Sequence, residues 1–127
     1  MILADTHAWF WWLRESPKLS VAARRALDND EVAVASISLW EIALLASRQR
    51  IELSIPVEEW LRTAVTRPKT TILDLSPEVA AAGAAFGQGV HKDPADRIIM
   101  ATAVRHGLHL VTADERITSS GLVQTVW

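Results

Sequence analysis

Five carboxylates fall where they could act together. Asp5 directly follows the apolar run Ile2-Leu3-Ala4. Glu41 lies about one helical turn beyond the run Val32-Ala33-Val34-Ala35, and Asp114 comes just after Leu108 to Val111. Asp93 and Asp96 sit at the start of an apolar-periodic segment that follows Gly89. Like charges a few ångströms apart cannot all stay ionised without a cation. The chain has no cysteine, so the donors are oxygens, which suit a hard divalent ion such as Mg²⁺ or Mn²⁺. Such a centre acidifies a bound water and neutralises phosphate oxygens during in-line displacement, the chemistry of phosphodiester hydrolysis.

The elements that must position these acids alternate between short β and longer α segments. Ile2-Leu3-Ala4 reads as a brief strand, followed by a helix over Thr6–Arg14 with Thr6 as its N-cap and Pro17 beyond its end. A second helix covers Ser20–Asn29. Val32–Ala35 reads as a buried strand, Ser38–Gln49 and Pro56–Thr66 as helices, and Thr70–Leu75 as a strand. Ser76-Pro77-Glu78 opens an Ala-rich helix ending near Gly87 or Gly89. Asp93-Pro94 opens a helix that runs to His106, with Gly107 as its stop. Leu108–Val111 and Leu122–Val126 are the last strands. Strands separated by helices imply a mostly parallel sheet with helices on both faces. Ligands in such sheets bind beyond the carboxyl ends of the strands. Asp5, Glu41 and Asp114 come from three such ends, and Asp96 joins them from a helix start.

Each acid also has an ordinary structural use to weigh. Ser38-Leu-Trp-Glu41 fits a capping box. Asp93 before Pro94 fits an N-cap, and Asp96 would then lie in a first turn favoured by the helix dipole. Asp114 fits a turn. Asp5, an acid ending a buried strand, has no such duty at this level. All four metal candidates at one sheet edge is the harder pattern to reach by chance.

Composition sets the frame. The 127 residues are 50% hydrophobic and 22% charged, which suits one folded domain over 1–127. No disulfide framework and no thiol nucleophile exist without cysteine. No run approaches the roughly 18 apolar residues of a membrane span. The opening Met-Ile-Leu-Ala-Asp5 lacks a basic region, so no signal peptide is expected and the cytoplasm is the expected compartment. The formal net charge of −2 does not advertise a nucleic-acid binder. A polyanion would need a local basic patch or bound cations.

The blocks Ile-Leu-Ala-Asp5-Thr6-His7, Ser36-Ile-Ser38-Leu-Trp-Glu41-Ile, His91-Lys-Asp93-Pro-Ala-Asp96-Arg97-Ile-Ile-Met-Ala-Thr and Leu110-Val-Thr112-Ala-Asp114, in that order, resemble a PIN domain. More narrowly, they resemble the VapC-type toxins of bacterial toxin–antitoxin pairs, over essentially the whole chain. The resemblance implies a three-layer α/β/α fold around a mostly parallel sheet of four to five strands. It implies that Asp5, Glu41, Asp96 and Asp114 are the catalytic, metal-binding acids, with Glu41 completing the shell or orienting the attacking water. Thr112 matches a hydroxyl that supports the acidic pocket and, with Arg97, is a candidate substrate contact. The implied activity is Mg²⁺- or Mn²⁺-dependent endoribonuclease cleavage of single-stranded or looped RNA. The implied partners are a cognate antitoxin and a second copy of the chain.

Six tryptophans and no tyrosine are a second signal. Ala8-Trp9-Phe10-Trp11-Trp12-Leu13 is apolar all round a helix, which suits either a large core helix or a protein interface. With the resemblance, Trp9, Trp12, Trp40 and Leu44 are the candidate antitoxin groove. Arg24, Arg25, Arg48, Arg50, Arg62, Arg67 and Arg97 are candidates to steer RNA phosphates, Arg97 foremost because it adjoins Asp96. His91 and His109 lack metal-ligand spacing to another histidine. Two other functions compete: a catalytically silent PIN-like module that binds a partner or RNA, and a metal-dependent phosphatase on another α/β fold.

Overall fold

The computed structural model describes residues 1–87 and 89–127. In chain order it contains β1 (Ile2–Ala4), α1 (Thr6–Leu13), α2 (Val21–Asp28), β2 (Val32–Ala35), α3 (Ile37–Ser47), α4 (Val57–Val65) and β3 (Thr70–Leu73). There follow α5 (Pro77–Ala85), α6 (Pro94–His106), β4 (Leu110–Val111), α7 (Glu115–Ser120) and β5 (Thr125–Val126). The strands form one sheet in the order β3-β2-β1-β4-β5, and every pairing is parallel.

Side chains alternate across a strand, and this alternation builds the layers. Ile2, Ala4, Val32, Val34 and Val111 face one way, toward Trp9, Phe10, Ala23, Leu27, Ile42 and Ala64 of α1 to α4. Leu3, Ala33, Ala35 and Leu110 face the other, toward Ile99, Met100 and Ala103 of α6 and Ile117 of α7. The three inner strands β1, β2 and β4 are buried on both faces, as parallel strands between helical layers must be, and the edge strands β3 and β5 are partly buried. The result is the expected three-layer α/β/α sandwich with a five-stranded sheet. Strand β1 has β2 on one side and β4 on the other. The chain runs outward from β1 through β2 to β3 and then returns to add β4 and β5 on the other side, and a crevice opens where the strand order switches. No helix among the described residues is long and apolar enough to cross a membrane.

Several boundaries differ from the sequence reading for local reasons. Helix α1 is capped by Asp5, not Thr6: the Asp5 carboxylate accepts from Ala8 N–H at 2.8 Å. Helix α3 starts at Ile37 after Ser36, with no side-chain cap bond, so the Ser38–Glu41 capping box does not form. Gly107 stops α6 at φ 65°, and Leu108 N–H closes back onto Ala103 O at 2.9 Å. Leu108 is thus spent on the helix end, and β4 shortens to two residues. Its partner β5 shortens with it. Strand β3 ends at Leu73, because Leu75 N–H turns to Ser36 Oγ at 3.1 Å. Helix α7 was not expected: Asp114 caps it, and Gly121 ends it at φ 70°.

Candidate functional site

The carboxyl ends of β1 and β4, the start of α3 and the start of α6 meet around one pocket of about 460 Å³. It is lined by Asp5, Thr6, His7, Trp11, Glu41, Asp93, Asp96, Ala113, Asp114 and Arg116. All four expected metal acids face it, together with Asp93. Their placement follows from the strands. Asp5 N–H pairs with Val111 O at 3.0 Å, one step past the β1–β4 register. Thr112 N–H pairs with Val126 O at 3.1 Å, which sets Asp114 two residues further along.

Three of the acids are held as helix N-caps and Glu41 by a hydroxyl. Asp5 is an N-cap after all, so the structural duty the sequence did not reveal exists. The neighbouring Thr112 hydroxyl eases its ionisation and itself accepts from Asp114 N–H at 3.1 Å. Thr112 is buried. It supports the two acids from behind and is not placed to touch a substrate. Glu41 Oε1 accepts from Thr6 Oγ1 at 2.5 Å, and Thr6 in turn lies 2.8 Å from Ser38 Oγ. Both hydroxyl residues are buried. Asp93 caps α6 through Asp96 N–H at 3.1 Å, as its place before Pro94 predicts. Asp114 caps α7 through Arg116 N–H at 2.9 Å.

Ligand-capable atoms of Glu41, Asp93 and Asp96 lie within 4.8 Å of one another, and so do those of His91, Asp96 and Asp114. Asp96 belongs to both groups and is their hinge. Asp5 lines the same pocket but falls outside both groups.

The electrostatics record the crowding. Burial pushes Asp96 up to about 7, and the negative charges of Asp93, Glu41 and Asp114 push the same way. Burial likewise raises Asp5, against the Thr112 and Ala8 hydrogen bonds. It raises Glu41 too, helped by Asp93 and opposed by Thr6. At Asp114 burial pushes up, but hydrogen bonds from Arg116 and His91 outweigh it and hold the group below the usual carboxylate range. Buried acids that resist ionisation next to one another are a seat for positive charge. With oxygen donors predominating, the set fits a hard divalent cation.

Two residues missed in the sequence sit in this site. His91 Nε2 lies 2.9 Å from Asp114 Oδ2 and 3.0 Å from Asp96 Oδ2. Its signal was a spacing to aspartates rather than to another histidine. Arg116 is exposed, reaches Asp114 with Nε at 3.4 Å, and also lines a neighbouring hollow of about 540 Å³ with Lys92, Ser119 and Ser120. Its signal was a basic residue two positions after a site acid.

Other expected contacts are elsewhere. Arg97 does not line the acidic pocket. Its guanidinium donates to the carbonyls of Gly83 at 3.1 Å, His91 at 3.4 Å, and Phe86. It is a clamp on the segment between α5 and α6. Trp9 is fully buried against Trp60, so it is core and offers nothing to a partner. Trp12 is half-buried, with Nε1 donating to Asp28 at 2.8 Å and Arg67 over its ring. Trp40 is 56% exposed. With Leu44, Leu45, Arg48, Pro94 and Ala95 it lines a groove of about 350 Å³ that borders Glu41 and Asp93.

Comparison with known proteins agrees with this geometry. The PIN domain family model matches residues 2–120. Ribonuclease VapC22 of Mycobacterium tuberculosis (strain ATCC 25618 / H37Rv) is 44% identical over 119 residues, 93% of this chain and 90% of that protein. A toxin-antitoxin complex from Klebsiella pneumoniae shares the fold at a TM-score of 0.70 and 24% identity, covering 97% of this chain and 95% of the other. FitAcB from Neisseria gonorrhoeae superposes with a TM-score of 0.69 at 25% identity, covering 98% and 96%. The family match runs from the first strand through α7, and the chain belongs to the PIN domain family, among its VapC-type members.

Proposed function

We propose that this protein is the toxic endoribonuclease of a toxin–antitoxin pair. It hydrolyses phosphodiester bonds of single-stranded or looped RNA in the cytoplasm and is silenced by a cognate antitoxin protein. The observation that carries this reading is the convergence of Asp5, Glu41, Asp96 and Asp114 on one open pocket. The chain is also 44% identical to a protein named as a ribonuclease.

Asp5, Asp96 and Asp114 would hold Mg²⁺ or Mn²⁺, with Glu41 completing the shell. When bound, the ion supplies charge neutralisation at the phosphate and a more acidic water. Glu41 hangs from a single hydroxyl partner, and burial raises its affinity for a proton. Its place in the pocket suits it to orient the attacking water. Thr112 keeps Asp5 aimed at the pocket, and Arg116 at the rim meets a phosphate oxygen of the RNA.

The antitoxin belongs on the groove around Trp40 and Leu44. This groove is apolar, exposed and continuous with the acids through Glu41 and Asp93, so a segment seated there also covers the site. The antitoxin pairing extends to this chain what the Klebsiella neighbour, a shared fold, was solved as. A homodimer completes the proposal.

The test is cleavage of a defined single-stranded RNA by purified protein with Mg²⁺, Mn²⁺ or EDTA, beside Asp5→Asn and Asp96→Asn. Cutting that needs the metal and is lost in both variants supports the reading. A wild type that binds metal but cuts nothing, and an Asp5→Asn that slows growth as much as wild type, would assign a silent binding module instead. Trp40→Ala should weaken antitoxin binding without changing the fold.

A further inference from the structure

The histidine wedged between the acids has a fixed orientation. Its side chain is only 3% exposed. The Asp93 backbone N–H donates to His91 Nδ1 at 3.2 Å. A nitrogen that accepts a hydrogen bond carries no proton, so the ring proton of the neutral tautomer is on Nε2. That Nε2–H points to Asp114 Oδ2 at 2.9 Å, with Asp96 Oδ2 3.0 Å from the same nitrogen. The backbone of His91 is itself tied down, its carbonyl accepting from Arg97 Nη1.

We infer that His91 is a positioning residue of the metal centre. Its Nε2–H donates to Asp114 Oδ2, and the same nitrogen stands 3.0 Å from Asp96 Oδ2, so the ring brings the acids of two different elements together and sets the angle at which they meet a cation. This rests on the metal reading above. His91 is not itself a ligand, because Nδ1 has given its lone pair to Asp93 N–H and Nε2 is a donor. The stretch His91-Lys-Asp93-Pro-Ala-Asp96-Arg97 is then one device. Asp93 caps α6 and selects the tautomer of His91, Arg97 holds the His91 backbone, and His91 aligns the acid of α6 with the acid after β4. Partners that orient ligands in this way typically change metal affinity ten- to a hundredfold when removed.

The experiment uses the full chain and the metal alone. Mn²⁺ binding is measured by calorimetry for wild type, His91→Leu and His91→Gln. The glutamine amide keeps both an acceptor for Asp93 N–H and a donor for the carboxylates. Leu should weaken binding by about ten- to a hundredfold, and Gln should stay close to wild type. In parallel, ¹⁵N NMR of the wild-type imidazole should show Nε2 protonated and Nδ1 bare, unchanged on saturation with Mg²⁺. Binding in Leu equal to wild type overturns the inference alone. So does loss of the Nε2 proton on Mg²⁺ binding, or an equal loss of affinity in Gln and Leu, since either makes His91 a ligand. A wild type that binds neither ion overturns the metal reading and this inference with it. If Leu fails to fold, Gln and the NMR measurement still decide.

Discussion

Thr6 Oγ1 donates to Glu41 Oε1 at 2.5 Å, across thirty-five positions of sequence. The bond joins the first turn of α1 to α3 and fixes a site acid whose carboxylate, like that of Asp96, has no backbone hydrogen-bond donor among the described residues. Thr6→Val keeps the shape and removes the hydroxyl. It leaves the buried Ser38 without its hydroxyl neighbour and frees Glu41. Stability should fall by about 1–3 kcal/mol, measured by urea unfolding. RNA cleavage should fall with it even where the variant is fully folded. Cleavage at the wild-type rate would mean that Glu41 needs no such tether.

Asp5 has two duties, and one substitution separates them. Asparagine is as good an N-cap as aspartate, so Asp5→Asn should keep α1 intact while losing metal-dependent cutting by two orders of magnitude or more, roughly. Asp5→Ala loses the cap as well and should cost a further ~1 kcal/mol of stability. Thermal melts alongside RNA cleavage rates check both. Equal melting of the two variants would dismiss the cap.

Stability without metal should depend on pH in a direction set by Asp96. Its folded-state pKa, about 7, lies above its ordinary 3.8, so the native state holds a proton that the unfolded chain has released. This contribution is fully present below about pH 4 and is lost as pH rises through about 7. Asp5 and Glu41 are raised and act in the same sense. Asp114 is lowered, so its contribution is lost only in more acidic solution. With EDTA the melting temperature should therefore fall between pH 5 and pH 8. Added Mg²⁺ should restore it most at the alkaline end, where the acids are free to bind. A flat profile would remove the crowding argument.

Arg97 and Arg116 should separate cleanly. Arg97→Met removes three bonds to backbone carbonyls and should destabilise by about 1.5–3 kcal/mol. Arg116 is exposed. Arg116→Ala should leave the melting temperature nearly unchanged while raising the KM for RNA and lowering the salt dependence of binding by about one ion. Unfolding midpoints and RNA titrations at two salt concentrations distinguish them. Arg116→Ala with an unchanged KM would take that residue out of the RNA path.

The parts of this protein that were legible in its sequence rest on chemistry local to a few residues. A short apolar run followed by an amphipathic segment, repeated, sufficed for a parallel α/β sandwich, and parallel strands bring their carboxyl ends to one edge. That alone collected Asp5, Glu41, Asp96 and Asp114. Asp93-Pro94 and Gly107 marked the two ends of α6 correctly, because caps depend on neighbours within four residues. What the sequence could not decide depends on which surfaces the folded chain presses together. Trp9 and Trp40 look alike as residues, yet one is sealed against Trp60 and the other faces solvent. Arg97 beside a candidate metal acid suggested substrate, but the end of α5 and the chain beyond it bring the carbonyls of Gly83, Phe86 and His91 to it first. His91 matched no ligand spacing. Its partners lie five and twenty-three positions away, and only the docking of α6 beside β4 puts both aspartates on one nitrogen. Sequence determined which charges reach the edge, and tertiary packing decided which of them touch.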